Sequence, residues 1–154
     1  MKASSASSKR TRPAALEPIG RAGEPPFTNL RFVVAIDGIQ STRAVEVVFP
    51  TARIVELPRK RRRVQFDSLV IRRGLTRSTE WFDWWNQARR STRSQPRDVV
   101  VVLLDGDGVP ARAWIFSRSV PLSYSLSPLN ALAGAAVIES LELRVGDFDL
   151  YQPQ

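Results

Sequence analysis

"FDSLVIRRGLTRSTEWFDWWNQARRS", residues 66–91, decides how this chain is read. Its first part is apolar and β-branched and closes at Gly74; its second part holds three of the four tryptophans within positions 81–85. A strand followed by a helix fits both halves. Ser78 or Thr79 can cap the helix, and Glu80 and Asp83 fall in its first turn, where the helix dipole favours acids. At about 100° per residue, Trp81, Phe82, Trp84, Trp85 and Ala88 share one face, opposite Asp83, Asn86, Gln87 and Arg90. The helix is expected over about 78–91, with Arg89, Arg90 and Arg93 at its C-terminal end. Leaving such a face in water forgoes roughly 1.5–3 kcal/mol per large apolar side chain. The stripe therefore reads as a packing face against a sheet or a neighbouring subunit, not as a platform for stacking bases.

Working outward, the flanks read as strands. "RFVVAIDG" (31–38) alternates Phe32, Val34 and Ile36 and ends at Asp37-Gly38. "RAVEVVF" (43–49) and "ARIVEL" (52–57) follow, separated by Pro50, and "RRVQFDSLVIRR" (62–73) reads as one long strand. Downstream, 98–118 is a hairpin turning at Asp105-Gly106-Asp107-Gly108, "SYSLSPLNALAGA" (123–135) a loop, and 136–146 a last strand. In that strand Leu141, Leu143 and Val145 alternate with Glu142 and Arg144, while Ile138 is out of phase. Either a bulge near Ser140 or an inward-facing Glu139 follows. Many strands and one helix predict a mainly β fold, a small barrel or sandwich with one flanking helix. Residues 1–26, rich in Ser, Pro and Arg, read as a flexible basic arm, 27–150 as the barrel domain and 151–154 as a C-terminal tail.

Composition limits the chemistry. The length of 154 residues suits one domain with a real core. No run of 18 apolar residues is present to span a membrane, and the basic N-terminus lacks a secretory apolar segment, so a cytoplasmic protein is expected. With no Cys there is no disulfide, thiol nucleophile or Cys-ligated zinc; with no His, every Ser-His-Asp or Cys-His arrangement is excluded within the chain. The acids Glu139, Glu142, Asp147 and Asp149 are not fixed as a pair by their spacing. The Asp105–Gly108 stretch lacks a calcium loop's third oxygen ligand, Val109 standing there, and reads as a turn. No catalysis, cofactor, metal or small-molecule substrate is expected.

The net charge of +8 is uneven: residues 1–97 carry 20 Lys/Arg against 8 Asp/Glu, residues 98–154 carry 3 against 7. Such polarity suits nucleic acid, an acidic partner or a head-to-tail assembly. "PRKRRRV" (58–64) holds Arg59, Lys60, Arg61, Arg62 and Arg63 in succession. It reads either as a phosphate-binding patch or as a solvated segment that meets an acidic partner surface. The second is favoured, because single-stranded nucleic-acid binding also calls for exposed aromatics.

Taken together, "RFVVAIDGI", "LVIRRGLTRSTEWFDWWNQAR", "VVLLDGDGVPARAWIFSRSVPLSYSLSPLNA" and "AAVIESLELRVGDF", in this order, resemble the tail-tube proteins of contractile phages and phage-like contractile injection systems. The resemblance covers about residues 27–150. It implies a β-barrel with one flanking helix, six copies joined edge to edge in a ring, and rings stacked into a hollow tube inside a sheath. The implied partners are adjacent tube rings, sheath and baseplate proteins, in a phage-like particle assembled in the cytoplasm. The chain departs from the family where "QSTRAVEVVFPTARIVELPRKRRRVQFDS" is short and basic, and where the usual L-P-G reads Leu57-Pro58-Arg59. The resemblance implies first the repeating tube subunit; that departure, with the basic arm, sets beside it a specialised ring, a baseplate-proximal initiator or a terminal ring. Since this region leads into contacts between rings, the resemblance assigns Arg59–Arg63 to a partner surface. The alternative is a nucleic-acid-binding module using Arg59–Arg63 and the N-terminal arm.

Overall fold

Runs of β-branched and apolar residues assemble into an eight-stranded sheet that folds back on itself, beside a separate two-stranded hairpin. A computed structural model describes residues 26–28, 31–93 and 95–152. The expected arm, apart from Pro26, and the last two residues of the expected tail lie outside the described residues. The strands are β1 (Phe32–Ile36), β2 (Ile39–Thr42), β3 (Ala44–Val48), β4 (Ala52–Leu57), β5 (Arg61–Phe66), β6 (Leu69–Gly74), β7 (Arg97–Leu104), β8 (Pro110–Leu126), β9 (Ile138–Arg144) and β10 (Asp147–Tyr151). One helix, α1 (Glu80–Arg90), lies between β6 and β7.

The sheet order is β2-β1-β7-β8-β9-β6-β3, with β10 also on β8 and every pairing antiparallel. The first half of β8 pairs with β7 and β10; its second half pairs with β9. At the corner between the halves, Arg118 takes a positive φ of 52° and the Gly146 N–H donates to the Ser117 carbonyl at 3.0 Å. Val34, Ile36, Val99, Val101 and Phe116 from one side of the corner pack on Leu69, Ile71, Leu141 and Leu143 from the other. The result is a mainly β sandwich. Among the described residues β2 and β3, at the ends of the path, do not pair with each other, so it is open on that side.

The helix closes this core. Trp81 and Trp84 are buried in it, and Trp85 packs half-buried against its edge. At the start of the helix the Ser78 hydroxyl accepts a hydrogen bond from the Glu80 N–H at 3.4 Å, while the Thr79 hydroxyl donates to Asp83 at 2.9 Å.

Three sequence expectations change, and one open alternative is decided. The run 62–73 is two strands broken at Asp67-Ser68, because 61–66 pairs with β4 while 69–74 pairs with β3 and β9. Residues 123–126 extend β8 instead of opening the loop, since β9 supplies their partners. The last strand is β10, whose Tyr151 pairs with Ala113 one residue into the expected tail. Finally, β9 runs in unbroken register on β6, so Glu139 faces inward with Leu141 and Leu143 and no bulge forms at Ser140.

Candidate assembly surface

An inward carboxylate needs a partner, and Arg73 on the neighbouring strand supplies it. Arg73 Nε donates to Glu139 Oε1, and the Tyr124 hydroxyl donates to Glu139 Oε2 at 2.6 Å. Arg73 is 3% and Glu139 1% exposed, and the guanidinium lies 4.2 Å from the centre of the Trp81 ring. Burial, and then the bond to Glu139, push the Tyr124 hydroxyl up to about 12. The cluster fastens β6, β8, β9 and α1 together. All its members are engaged with one another under the helix, so it reads as a structural clamp.

The other acids are dispersed. Glu142, three residues from Glu139, points to the opposite face, where Ser68 and then Ser123 donate to its carboxylate and hold it below the usual range. Asp105 accepts from the Asp107 and Val109 N–H groups at 2.9 Å and so builds the β7–β8 turn. Asp147 and Asp149 on β10 each accept from the next residue's backbone N–H. No described helix is long and apolar enough to cross a membrane.

What the molecule leaves outward is the basic run. Arg61–Arg63 lie in β5, and β4 and β5 pair only with each other, forming a hairpin apart from the main sheet. Two anchors hold its base: the Asp67 N–H donates to the Thr51 carbonyl at 3.1 Å, and Arg53 meets Asp67 at 3.0 Å. At the tip Arg59 and Lys60 both have positive φ, 64° and 58°. A side chain there costs the backbone roughly 1–2 kcal/mol per residue relative to a right-handed conformation.

Cross-strand pairs share a face. Val55↔Arg63 and Leu57↔Arg61 therefore lie on one face, Ile54↔Val64 and Glu56↔Arg62 on the other. Ile54 is 64% and Val64 56% exposed, an uncovered apolar pair in the middle of the hairpin. Among the described residues none of Arg59–Arg63 has a carboxylate within salt-bridge distance. A lone two-stranded ribbon is at best marginal in water, so this hairpin is suited to being covered.

The remaining expected residues sit elsewhere. Trp81 and Trp84 are unavailable for stacking, Trp85 and Ala88 are half-buried, and Phe82 is exposed beside Tyr124, their ring centres 5.6 Å apart. Sequence reasoning missed the Arg73–Glu139–Tyr124 clamp, although the phase break at Ile138 pointed to Glu139. It also missed the exposed Ile54–Val64 pair, for which the isolation of the hairpin is the cause.

A family model, T4-like virus tail tube protein gp19, matches residues 28–149. No curated protein sequence matches the chain. Among solved structures, a chain of the anti-feeding prophage (AFP) baseplate, symmetrised six-fold, is similar at 23% identity and TM-score 0.64, covering 84% of this chain and 97% of that one. A chain of the PVC extracellular contractile injection system sheath–tube complex, in the extended state, is similar at 18% identity and TM-score 0.67, over 85% and 95%. A chain of the AFP tube-terminating cap is similar at 13% identity and TM-score 0.68, over 90% and 99%. At these identities the likeness speaks for the fold.

Proposed function

Since the chain belongs to the T4-like virus tail tube protein gp19 family, and is a tail-tube-like structural protein of contractile injection systems, we propose that six copies close into a ring and that rings stack into a hollow inner tube. The observation that carries this reading is the set of surfaces one copy leaves unfinished. The sandwich is open between β2 and β3, and the β4–β5 hairpin stands apart with Ile54 and Val64 in water. Exposed strand edges are a liability that proteins normally protect; a closed ring pairs or covers them. The fold's likeness to a chain of a six-fold baseplate supports the number of copies.

Arg59–Arg63 are the surface for carboxylates of an adjacent ring or a baseplate protein. Arginine at Arg59, in a left-handed position that favours glycine, accepts a conformational cost to place a guanidinium at the hairpin tip. The short, basic hairpin favours a ring at one end of the tube, where it meets a different protein, and the likeness to both baseplate and cap chains is consistent with that position. Assembly takes place in the cytoplasm, within a phage-like particle. The fold serves as a conduit, with no turnover of its own.

Electron microscopy and mass photometry of the purified chain, alone and with its sheath and baseplate partners, test the reading. Six-fold rings or tubes are expected. A chain that stays monomeric at high concentration and beside those partners refutes it. Charge reversal at Arg61–Arg63 should leave the sandwich folded and weaken docking. Added salt should do the same, since exposed charges are screened within about 8–10 Å at physiological ionic strength. Nucleic-acid binding lost in that variant, with assembly intact, would instead favour a phosphate-reading module; the burial of Trp81 and Trp84 speaks against one.

A further inference from the structure

From Ser119 to Ile138 the chain carries no charged side chain, although 25% of its residues are charged. Much of that run is β8; the remainder, the β8–β9 loop of residues 127–137, stands outside the sheet. Leu132 is 98% and Leu129 79% exposed, with Ala131, Ala133, Ala135 and Ala136 exposed around them. The loop is shaped. Asn130 Oδ1 accepts from the Leu132 N–H at 3.0 Å and the Asn130 carbonyl from the Ala133 N–H at 3.2 Å, while Gly134 turns the chain at φ 60°. At its base the Ser127 N–H donates to the Ile138 carbonyl and the Ile138 N–H to Ser127 Oγ, both at 2.8 Å. The loop is thus an apolar knob on a fixed stem.

The same chain carries an apolar hollow. A cleft of about 670 Å³ opens between β3 and the inner face of β1, β7 and β8, lined chiefly by Phe32, Val45, Val47, Phe49, Leu103 and Trp114. The one carboxylate in the lining, Glu46, is held by Arg72 at 2.8 Å. The loop adjoins the end of β3 at which Ala44 pairs with Arg73, next to Gly74 and Ile138. Val47 and Phe49 lie toward its other end. The cleft shares Val45 and Glu46 with a smaller hollow at the loop's own stem, beside Ser127 and Ile138, yet Leu129 and Leu132 stay in water. Knob and hollow are different patches of one copy, so joining one to the other between copies is a heterologous contact. Such contacts propagate into a ring or a stack.

We propose that the β8–β9 loop of one copy seats Leu129 and Leu132 in this cleft of a second copy. The inference rests on the tube-ring reading and adds the residues by which copies lock. The knob is uncharged and the cleft's one carboxylate, Glu46, is already paired with Arg72, so the contact between copies is chiefly apolar and depends little on salt. It is thereby separable from the contact of Arg59–Arg63, which salt weakens.

The chain has no cysteine, so any disulfide between copies must come from introduced residues. Copies carrying Leu132→Cys are mixed with copies carrying Val45→Cys under mild oxidation, with Thr92→Cys as an exposed control. Disulfide-linked dimers in the mixture, a ladder of oligomers in the double variant, and neither with Thr92→Cys are expected. Leu132→Asp should raise the concentration needed for assembly by about tenfold or more. Rings that form from the unsubstituted chain, with no such cross-link and normal assembly of Leu132→Asp, overturn this contact and leave the tube reading standing. Equal cross-linking of Leu132→Cys with itself also overturns it, as a two-fold loop-to-loop contact. A chain that never self-associates, with or without sheath and baseplate partners, overturns both.

Discussion

Replacing Glu139 with leucine should nearly unfold the protein, and replacing its partner as well should largely restore it. In Glu139→Leu the Arg73 guanidinium loses its counter-ion while only 3% exposed, and its Nη2 already has no hydrogen-bond partner. Removing one member of a buried ion pair costs about 3–5 kcal/mol. The Tyr124 hydroxyl also loses its acceptor at 2.6 Å, worth about 1 kcal/mol, which the added apolar contact of leucine offsets in part. Against a total stability of about 5–15 kcal/mol this is a large fraction. With a urea m-value of about 2 kcal/mol/M, the midpoint should fall by about 1.5–2.5 M. Tryptophan fluorescence follows the transition, with Trp81 against Arg73 as reporter. Arg73→Met with Glu139→Leu buries no charge, and such exchanges are often neutral or stabilising. A Glu139→Leu cost below about 1 kcal/mol, or a double variant as unstable as the single one, refutes the buried pair as the origin of the effect.

Trp84→Ala should cost about 3–5 kcal/mol by denaturant titration. Trp84→Phe should cost far less, because the Trp84 Nε1 makes no hydrogen bond that phenylalanine would forfeit. Trp85→Ala should fall below Trp84→Ala, since Trp85 is only half-buried. Arg59→Gly relieves a φ of 64° and should hold or raise Tm while weakening ring or baseplate docking by co-sedimentation. In alkali, tyrosinate absorbance should show one of the two tyrosines titrating late, near 12, and Tyr124→Phe should abolish that step. Because the folded value lies above the ordinary one, this group's contribution is complete below about pH 10 and is lost as pH rises through about 12.

The helix was legible because Trp81, Trp84 and Trp85 repeat at helical spacing and Ser78 precedes the first turn. The β7–β8 hairpin was legible from Asp105–Gly108. Elsewhere the deciding contacts are distant in sequence. Asp67-Ser68 is only a weak local turn signal, without Gly or Pro; partners at 52–57 on one side and 138–143 on the other impose the break. β2, "IQST", is a four-residue edge strand with a single apolar side chain and so no period to read, while β10, "DFDLY", does alternate but is only five residues long, just past the Gly146 turn. Position Ile138 betrayed an inward Glu139, but its partner Arg73 is 66 residues away and emerges only from the register. The basic run at 59–63 was plain in the sequence, whereas its left-handed tip and its isolation from the main sheet were not.

In the proposed tube, driven by a contracting sheath, the subunit is a mechanical part, and β8 bears on how it carries force. The strand is 17 residues long and belongs to both halves of the sandwich. A load entering one half reaches the other along a covalent backbone, without a seam of side-chain contacts to slip. Along much of its length β8 is hydrogen-bonded to β7, β9 or β10, which run antiparallel to it, so a pull along the strand must shear many bonds together instead of peeling them singly. The domain should therefore fail under tension as one event, with no stage in which one half has yielded and the other still holds.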